Sequence, residues 1–143
     1  MRRLLQWMGM WGLALLVGCA QQPPKDDSLY HALGERAGIQ RIVEGMLLHV
    51  AQDDRIYKYF AKVDIVRARD KLVEKFCMEA GGPCTYSGDA LPEVHKGMNI
   101  SRSDFNALVE NLIDAMDEQH IPVPTQNRLI ARLAPQRGEV IEK

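Results

Sequence analysis

The sequence predicts an all-α fold, and three observations predict it. Apolar residues recur three and four positions apart in several separate stretches, no stretch alternates polar and apolar residues as a half-buried strand does, and glycine, proline or a capping residue falls between the periodic stretches. The chain has 143 residues, 46% hydrophobic and 26% charged, with a formal net charge of −1. That is the length and composition of one globular domain, too apolar for a disordered chain. The lack of a basic excess argues against a nucleic-acid partner. A single long apolar run, at the N-terminus, excludes a polytopic membrane protein.

That run is the first element. Arg2 and Arg3 precede the uncharged stretch Trp7 to Val17, which is short for a spanning helix but suits a secretion signal. It ends Leu16-Val17-Gly18-Cys19, which looks like a lipobox, where small residues precede a cysteine acylated before cleavage. The alternative is an ordinary signal peptide followed by a chance cysteine. Lipidation of Cys19 by two or more acyl chains would anchor the chain stably to a membrane. Residue 20 is Ala rather than the Asp that commonly retains such proteins at the inner membrane, so the expected location is a bacterial outer membrane, facing the periplasm. The domain reading is a signal peptide over 1–18, a lipidated tether over 19–27 stiffened by Pro23 and Pro24, and a folded domain over 28–138. Loss of 1–18 removes two of the 18 basic residues and none of the 19 acidic ones, which takes the net charge to −3.

With Cys19 assigned to lipid, Cys77 and Cys84 remain. An even pair in an oxidising compartment invites a disulfide, worth about 2–3 kcal/mol for so short a loop. The other reading is two separate thiols, one of them buried. The spacing is not Cys-x-x-Cys, and no further Cys or His cluster accompanies the pair to suggest zinc.

The helices follow in order. Ile39, Ile42, Val43, Met46, Leu47 and Val50 mark an amphipathic helix over about Ile39 to Gln52. Asp53-Asp54 interrupts it, and a turn carries Tyr57, Tyr59 and Phe60. Asp64 can cap a second helix with Ile65, Ala68, Leu72, Phe76 and Cys77 on one face, which Gly81-Gly82-Pro83 stops. A loop over 83–89 leads to a short helix from about Leu91 to Lys96, ended by Gly97. Ser101-Arg102-Ser103-Asp104 resembles a capping box, behind which Phe105, Leu108, Val109, Leu112, Ile113 and Met116 form the cleanest stripe in the chain. Pro122 and Pro124 punctuate the next turn, and Leu129, Ile130 and Leu133 line a last helix that Pro135 should kink or end. His31, His49 and His120 lie among polar neighbours or near helix ends, as surface histidines do. His95 differs, because glycines bound the short segment that carries it.

From Ser28 onward the residue string resembles the truncated haemoglobins of group I. Ser28-Leu29-Tyr30-His31-Ala32-Leu33-Gly34 is similar to their opening. Asp53-Asp54-Arg55-Ile56 with Phe60 is similar to the turn and the haem-stacking phenylalanine after their second helix. Gly81-Gly82-Pro83, Tyr86-Ser87-Gly88 and Val94-His95-Lys96-Gly97-Met98-Asn99-Ile100 match the segment leading through the proximal histidine. The match runs in order to about Pro135, with Glu35 standing where the family often has a second glycine.

The resemblance implies a two-over-two helical sandwich around haem b, with His95 as the iron's axial ligand through Nε2 and its Nδ1–H held by a backbone carbonyl. It implies that Phe60, Leu72, Phe76, Ile100, Phe105 and Leu108 give apolar contact to the macrocycle, although each also suits ordinary core packing. On the distal side it places Leu47 where a tyrosine is usual, with Met46 before it, and Ala68 and Leu72 where polar groups are usual. A diatomic ligand then lacks a hydrogen-bond donor worth roughly 1–3 kcal/mol. O₂ would suffer from this more than CO or NO, so stable O₂ storage is not supported. Lys71 is the polar residue left nearby. It could bind iron as a neutral amine, donate as an ammonium to a ligand or a haem propionate, or lie in solvent. Arg67 and Arg69 face solvent or the propionates. Tyr57 or Tyr59 is a further possible donor.

Two function classes stand after this reading. One is a haem protein for O₂, CO or NO at the envelope, served by an unidentified redox partner. The other is a haem-free helical lipoprotein acting as an interaction module. No distal acid–base pair is evident that would drive a peroxidase.

Overall fold

The computed structural model describes residues 25–143. The expected signal peptide 1–18, Cys19 and the tether as far as residue 24 lie outside the described residues. Among the described residues there are six α-helices and no strand. None of these helices is long and apolar enough to cross a membrane.

Helix α1 (Ser28–Ala32) buries Leu29 and Tyr30, and the Tyr30 N–H donates to the Ala80 carbonyl at 3.1 Å. Five residues are too few to show a period, which is why periodicity did not mark this helix. Gly34 follows at φ 81° and Glu35 at φ 59°, so the position where the family often has glycine is one that disfavours a side chain. Glu35 is compensated in part by a 3.1 Å contact from its carboxylate to His31 Nδ1.

Helix α2 (Glu35–Val50) starts four residues before the expected Ile39 and ends two before Gln52. Its first turn is polar and exposed, outside the apolar stripe. Ile39, Ile42, Val43, Met46 and Val50 are at most 1% exposed. The helix packs chiefly on α5 (Arg102–Glu118) and α3 (Ile65–Glu79). Gly45 allows the close crossing with α5, since a Cβ there would stand 3.3 Å from the Ala115 Cβ.

The turn between α2 and α3 holds a 3-10 segment, Tyr57–Tyr59. Asp53 organises it. Its carboxylate accepts from the Arg55 guanidinium at 2.7 and 2.9 Å and from the buried Asn111 amide on α5 at 2.7 Å. These donors hold the Asp53 carboxyl well below the usual range. Asp64 then caps α3 by accepting from the Arg67 N–H at 3.0 Å, as expected.

Helix α3 stops at Glu79, with Gly81 at φ 87°. Gly82 lies so close to the preceding turn that a Cβ would stand 2.7 Å from Cys77 Sγ. Cys77 and Cys84 are disulfide-bonded, with Cα atoms 5.8 Å apart. Helix α4 (Leu91–Val94) is two residues shorter than expected, and His95 caps its end. The Ser101–Asp104 capping box opens α5.

Helix α6 (Val123–Leu133) begins well before Leu129, with Pro122 at its N-cap and Pro124 in its first turn. The prolines therefore start this helix rather than mark a turn apart from it, because the first turn needs no N–H from them. Pro135 ends the α-helix, and a 3-10 segment, Ala134–Glu139, follows.

The helices form a two-over-two sandwich, α2 and α3 against α5 and α6. The packed chain runs past both expected domain limits. Lys25 Nζ donates to the Gly82 carbonyl at 3.0 Å, and the Glu142 N–H donates to the Ile100 carbonyl at 3.0 Å.

The disulfide closes a loop with a sequence separation of 7. Reduction or Cys84→Ser is expected to cost about 2–3 kcal/mol of unfolding free energy, read by denaturant titration. Unreduced protein should show no titratable thiol from this pair.

Candidate functional site

A cavity of about 310 Å³ opens between α3, α4 and α5. Its walls are mostly apolar and come from every element around it. Met46 comes from α2, Phe60 from the turn, Ala68 and Leu72 from α3, Leu91 and Val94 from α4, and Phe105 and Leu108 from α5. Ile100 and Val140 close it from the two segments that pair through Glu142. The polar residues of the rim include Arg67, Lys71, Lys75 and Asp89.

His95 is in the wall. Its Nδ1 is 2.8 Å from the Leu91 carbonyl. A carbonyl only accepts, so Nδ1 carries a proton, and the tautomer this selects leaves Nε2 as the nitrogen with a lone pair. The local sequence makes this happen. Four residues of helix, with Pro92 in the first turn, place His95 one turn after Leu91. Gly97 at φ 78° then turns the chain away, and its N–H donates to the Lys143 carbonyl at 2.8 Å.

The cavity brings together most of the residues expected from the sequence: Met46, Phe60, Ala68, Lys71, Leu72, His95, Ile100, Phe105 and Leu108. Two expected residues are outside the cavity wall. Phe76 is 6% exposed and packs in the core cluster with Val73, Cys77 and Ala80. Leu47 is 8% exposed in the same core, about 100° round the helix from Met46.

Sequence reasoning missed Tyr86, Leu91, Met98 and Val140 as wall residues. Val140 lay beyond the expected domain end, and Leu91, Tyr86 and Met98 belong to no long stripe. Tyr57 is 49% exposed and is not in the wall. Tyr59 is in the wall, but its hydroxyl donates to Asp104 Oδ2 at 2.8 Å. Burial, reinforced by that carboxylate, raises the Tyr59 phenol above its ordinary value. Arg67 faces Asp89 at 3.6 Å, and Arg69 is paired with Asp70 and Glu44 away from the cavity.

Lys71 Nζ donates to both Glu74 oxygens, at 3.0 and 3.1 Å, and to Ser87 Oγ at 2.5 Å. Glu74 also accepts from the Ser87 N–H and hydroxyl, each at 2.9 Å. The Ser87 N–H, then Lys71 and the Ser87 hydroxyl, bring the Glu74 carboxyl down to about 2.

A family model described as bacterial-like globin matches residues 28–142. The chain is 27% identical over 113 residues to a group 1 truncated hemoglobin of Mycolicibacterium paratuberculosis, covering 79% of this chain and 83% of that protein. It is 32% identical over 94 residues to a group 1 truncated hemoglobin of Tetrahymena thermophila, covering 66% of this chain and 78% of that one. The crystal structure of truncated hemoglobin from Tetrahymena pyriformis, Fe(III) form, is similar with a TM-score of 0.78 and 26% identity, covering 80% of this chain and 98% of that chain.

Glu74 has a folded-state pKa below its ordinary 4.5, so its contribution to stability is complete above about that pH and drains as pH falls toward 2. Glu74→Gln is therefore expected to lower the melting temperature at pH 6 and to lose that effect progressively below pH 4.5, read by thermal melts across the range.

Proposed function

The chain belongs to the bacterial-like globin family and its cofactor is haem, and on that footing we propose that His95 is the axial ligand and that the opposite face of the cavity receives a diatomic gas. The observation that carries this reading is the 2.8 Å hydrogen bond from His95 Nδ1–H to the Leu91 carbonyl, which leaves Nε2 as the free ring nitrogen in the wall of an apolar cavity. The residues fit haem b in three respects: one imidazole oriented by the Leu91 carbonyl, apolar walls from Phe60, Leu72, Phe105 and Ile100, and the cations Arg67 and Lys75 among the polar wall residues, where they could meet propionates.

Haem would supply an iron able to bind a diatomic gas, with His95 as the residue that would hold it. The protein's residues decide which gas is favoured. The Leu91 carbonyl holds the His95 ring from turning and sets Nε2 as its lone-pair nitrogen. Met46, Ala68 and Leu72 line the cavity with apolar groups that offer no donor. The nearby Tyr59 hydroxyl is committed to Asp104. Such a pocket favours CO and NO over O₂, because O₂ gains roughly 1–3 kcal/mol from a charged or strongly polarised hydrogen bond that is absent here. An electron donor would keep the iron ferrous.

The proposed setting is the bacterial envelope. The basis is the Leu16-Val17-Gly18-Cys19 string behind a short apolar run, with Ala at position 20. Acylated Cys19 would hold the domain at the outer membrane, facing the periplasm.

His95→Ala is expected to keep its helix content by circular dichroism and to lose specific haem retention. Stoichiometric haem with an unchanged ferrous spectrum in that variant would overturn the assignment. Cys19→Ser is expected to release the protein from membrane fractions, and mass spectrometry should find lipid on the wild-type N-terminus. Membrane retention of the variant, with no lipid on the wild type, contradicts the anchor.

A further inference from the structure

Lys71 is a wall residue with a flexible four-carbon stem and a terminal nitrogen, so its placement decides whether the cavity is open to an outside ligand. An i,i+3 ion pair on an exposed helix is normally a weak restraint. This one is different in construction. The two side chains are only 24% and 19% exposed, and a loop residue completes the arrangement from the far side. The Ser87 hydroxyl accepts from Lys71 and donates to Glu74, while the Ser87 N–H donates to Glu74 as well. Ser87 follows Cys84 by three residues, so the disulfide to Cys77 on α3 holds the loop that presents it.

The three carboxylates in the cavity wall are already engaged. Asp64 caps α3, Asp89 faces Arg67, and Asp104 accepts from Tyr59 and Ser101. The neighbouring lysine, Lys75, is paired with Glu79 at 3.1 Å. Glu74 is thus the carboxylate that holds Lys71.

We propose that Glu74 is a positioning residue for gas binding: with Ser87 it clasps the Lys71 ammonium at the rim, denying the iron an internal sixth ligand and keeping the distal position open. An ammonium has no lone pair to give a metal, and this nitrogen is committed to two Glu74 oxygens on α3 and to the Ser87 hydroxyl on the loop. Remove the carboxylate, and the side chain is released: once its proton passes to solvent, the neutral amine can swing inward past the apolar Ala68 and Leu72 with a lone pair to offer the iron. The inference rests on the haem reading above.

The test compares wild type, Glu74→Gln and Glu74→Gln/Lys71→Ala as purified holoproteins, at one fixed mildly alkaline pH. Absorption spectra of the ferric and ferrous forms report coordination, and CO titration reports the fraction of open sites. Wild type should show an open-site spectrum, and Glu74→Gln a six-coordinate low-spin one. If nine sites in ten close, apparent CO affinity falls about tenfold. Lys71→Ala in the Glu74→Gln background should restore both spectrum and affinity. An unchanged Glu74→Gln protein overturns the proposal, as does a change that survives in the double variant or a wild type that is already six-coordinate. If Glu74→Gln does not fold, Ser87→Ala tests the clasp from the loop side. It should move the spectrum in the same direction, and no movement again overturns the proposal. A wild type with no haem band defeats the haem reading itself, whereas a normal band with an unmoved Glu74→Gln spectrum defeats the clasp alone.

Discussion

The hydrogen bond between His95 Nδ1–H and the Leu91 carbonyl is the constraint on which the site depends. It fixes the tautomer and the plane of the ring in one contact. The same carbonyl accepts the His95 backbone N–H at 3.2 Å, so one group at the start of a four-residue helix holds both the backbone and the ring of His95. Such a short helix has little stability of its own. Its neighbours hold it instead, with Pro92 at its start, Gly97 turned at φ 78° beyond its end, and the C-terminal tail accepting the Gly97 N–H.

The rest of the cavity is built by carboxylates that tie loops to helices. Asp53 links the turn after α2 to Asn111 on α5 and thereby sets where Phe60 stands. Asp104 joins the Ser101 cap of α5 to Tyr59, so one group starts a helix and closes a wall. Glu74 links α3 to Ser87 and holds Lys71. Each accepts several hydrogen bonds as an anion, which is why all three carboxyls lie below their ordinary range. Apolar side chains fill the space and polar ones fix its outline.

Much of this was legible in the sequence, for identifiable reasons. The stripe Phe105 to Met116 and the Ser101 cap are local signals, and α5 follows them closely. Asp64 and Gly81 bound α3 as read. His95 stood out through its glycine-bounded segment and the resemblance, not through any periodicity. Other features were hidden by physics rather than oversight. Helix α1 is too short to show a period, and α6 begins among prolines that read as a turn. Phe76 and Leu47 lie on apolar stripes with Leu72 and Met46, but a stripe wide enough to cover a core also covers a cavity, and only packing separates the two. The Lys71–Glu74–Ser87 clasp joins residues 13 and 16 apart through a loop, which no helical spacing reveals.

The most direct test of the central claim is the absorption spectrum of the wild-type protein after stoichiometric haem loading, recorded ferric, dithionite-reduced and CO-bound. The account predicts one haem per chain, a five-coordinate ferrous form with a single histidine ligand, and ready conversion to the CO complex. A protein that retains no haem, or whose ferrous form is six-coordinate and resists CO, would contradict it.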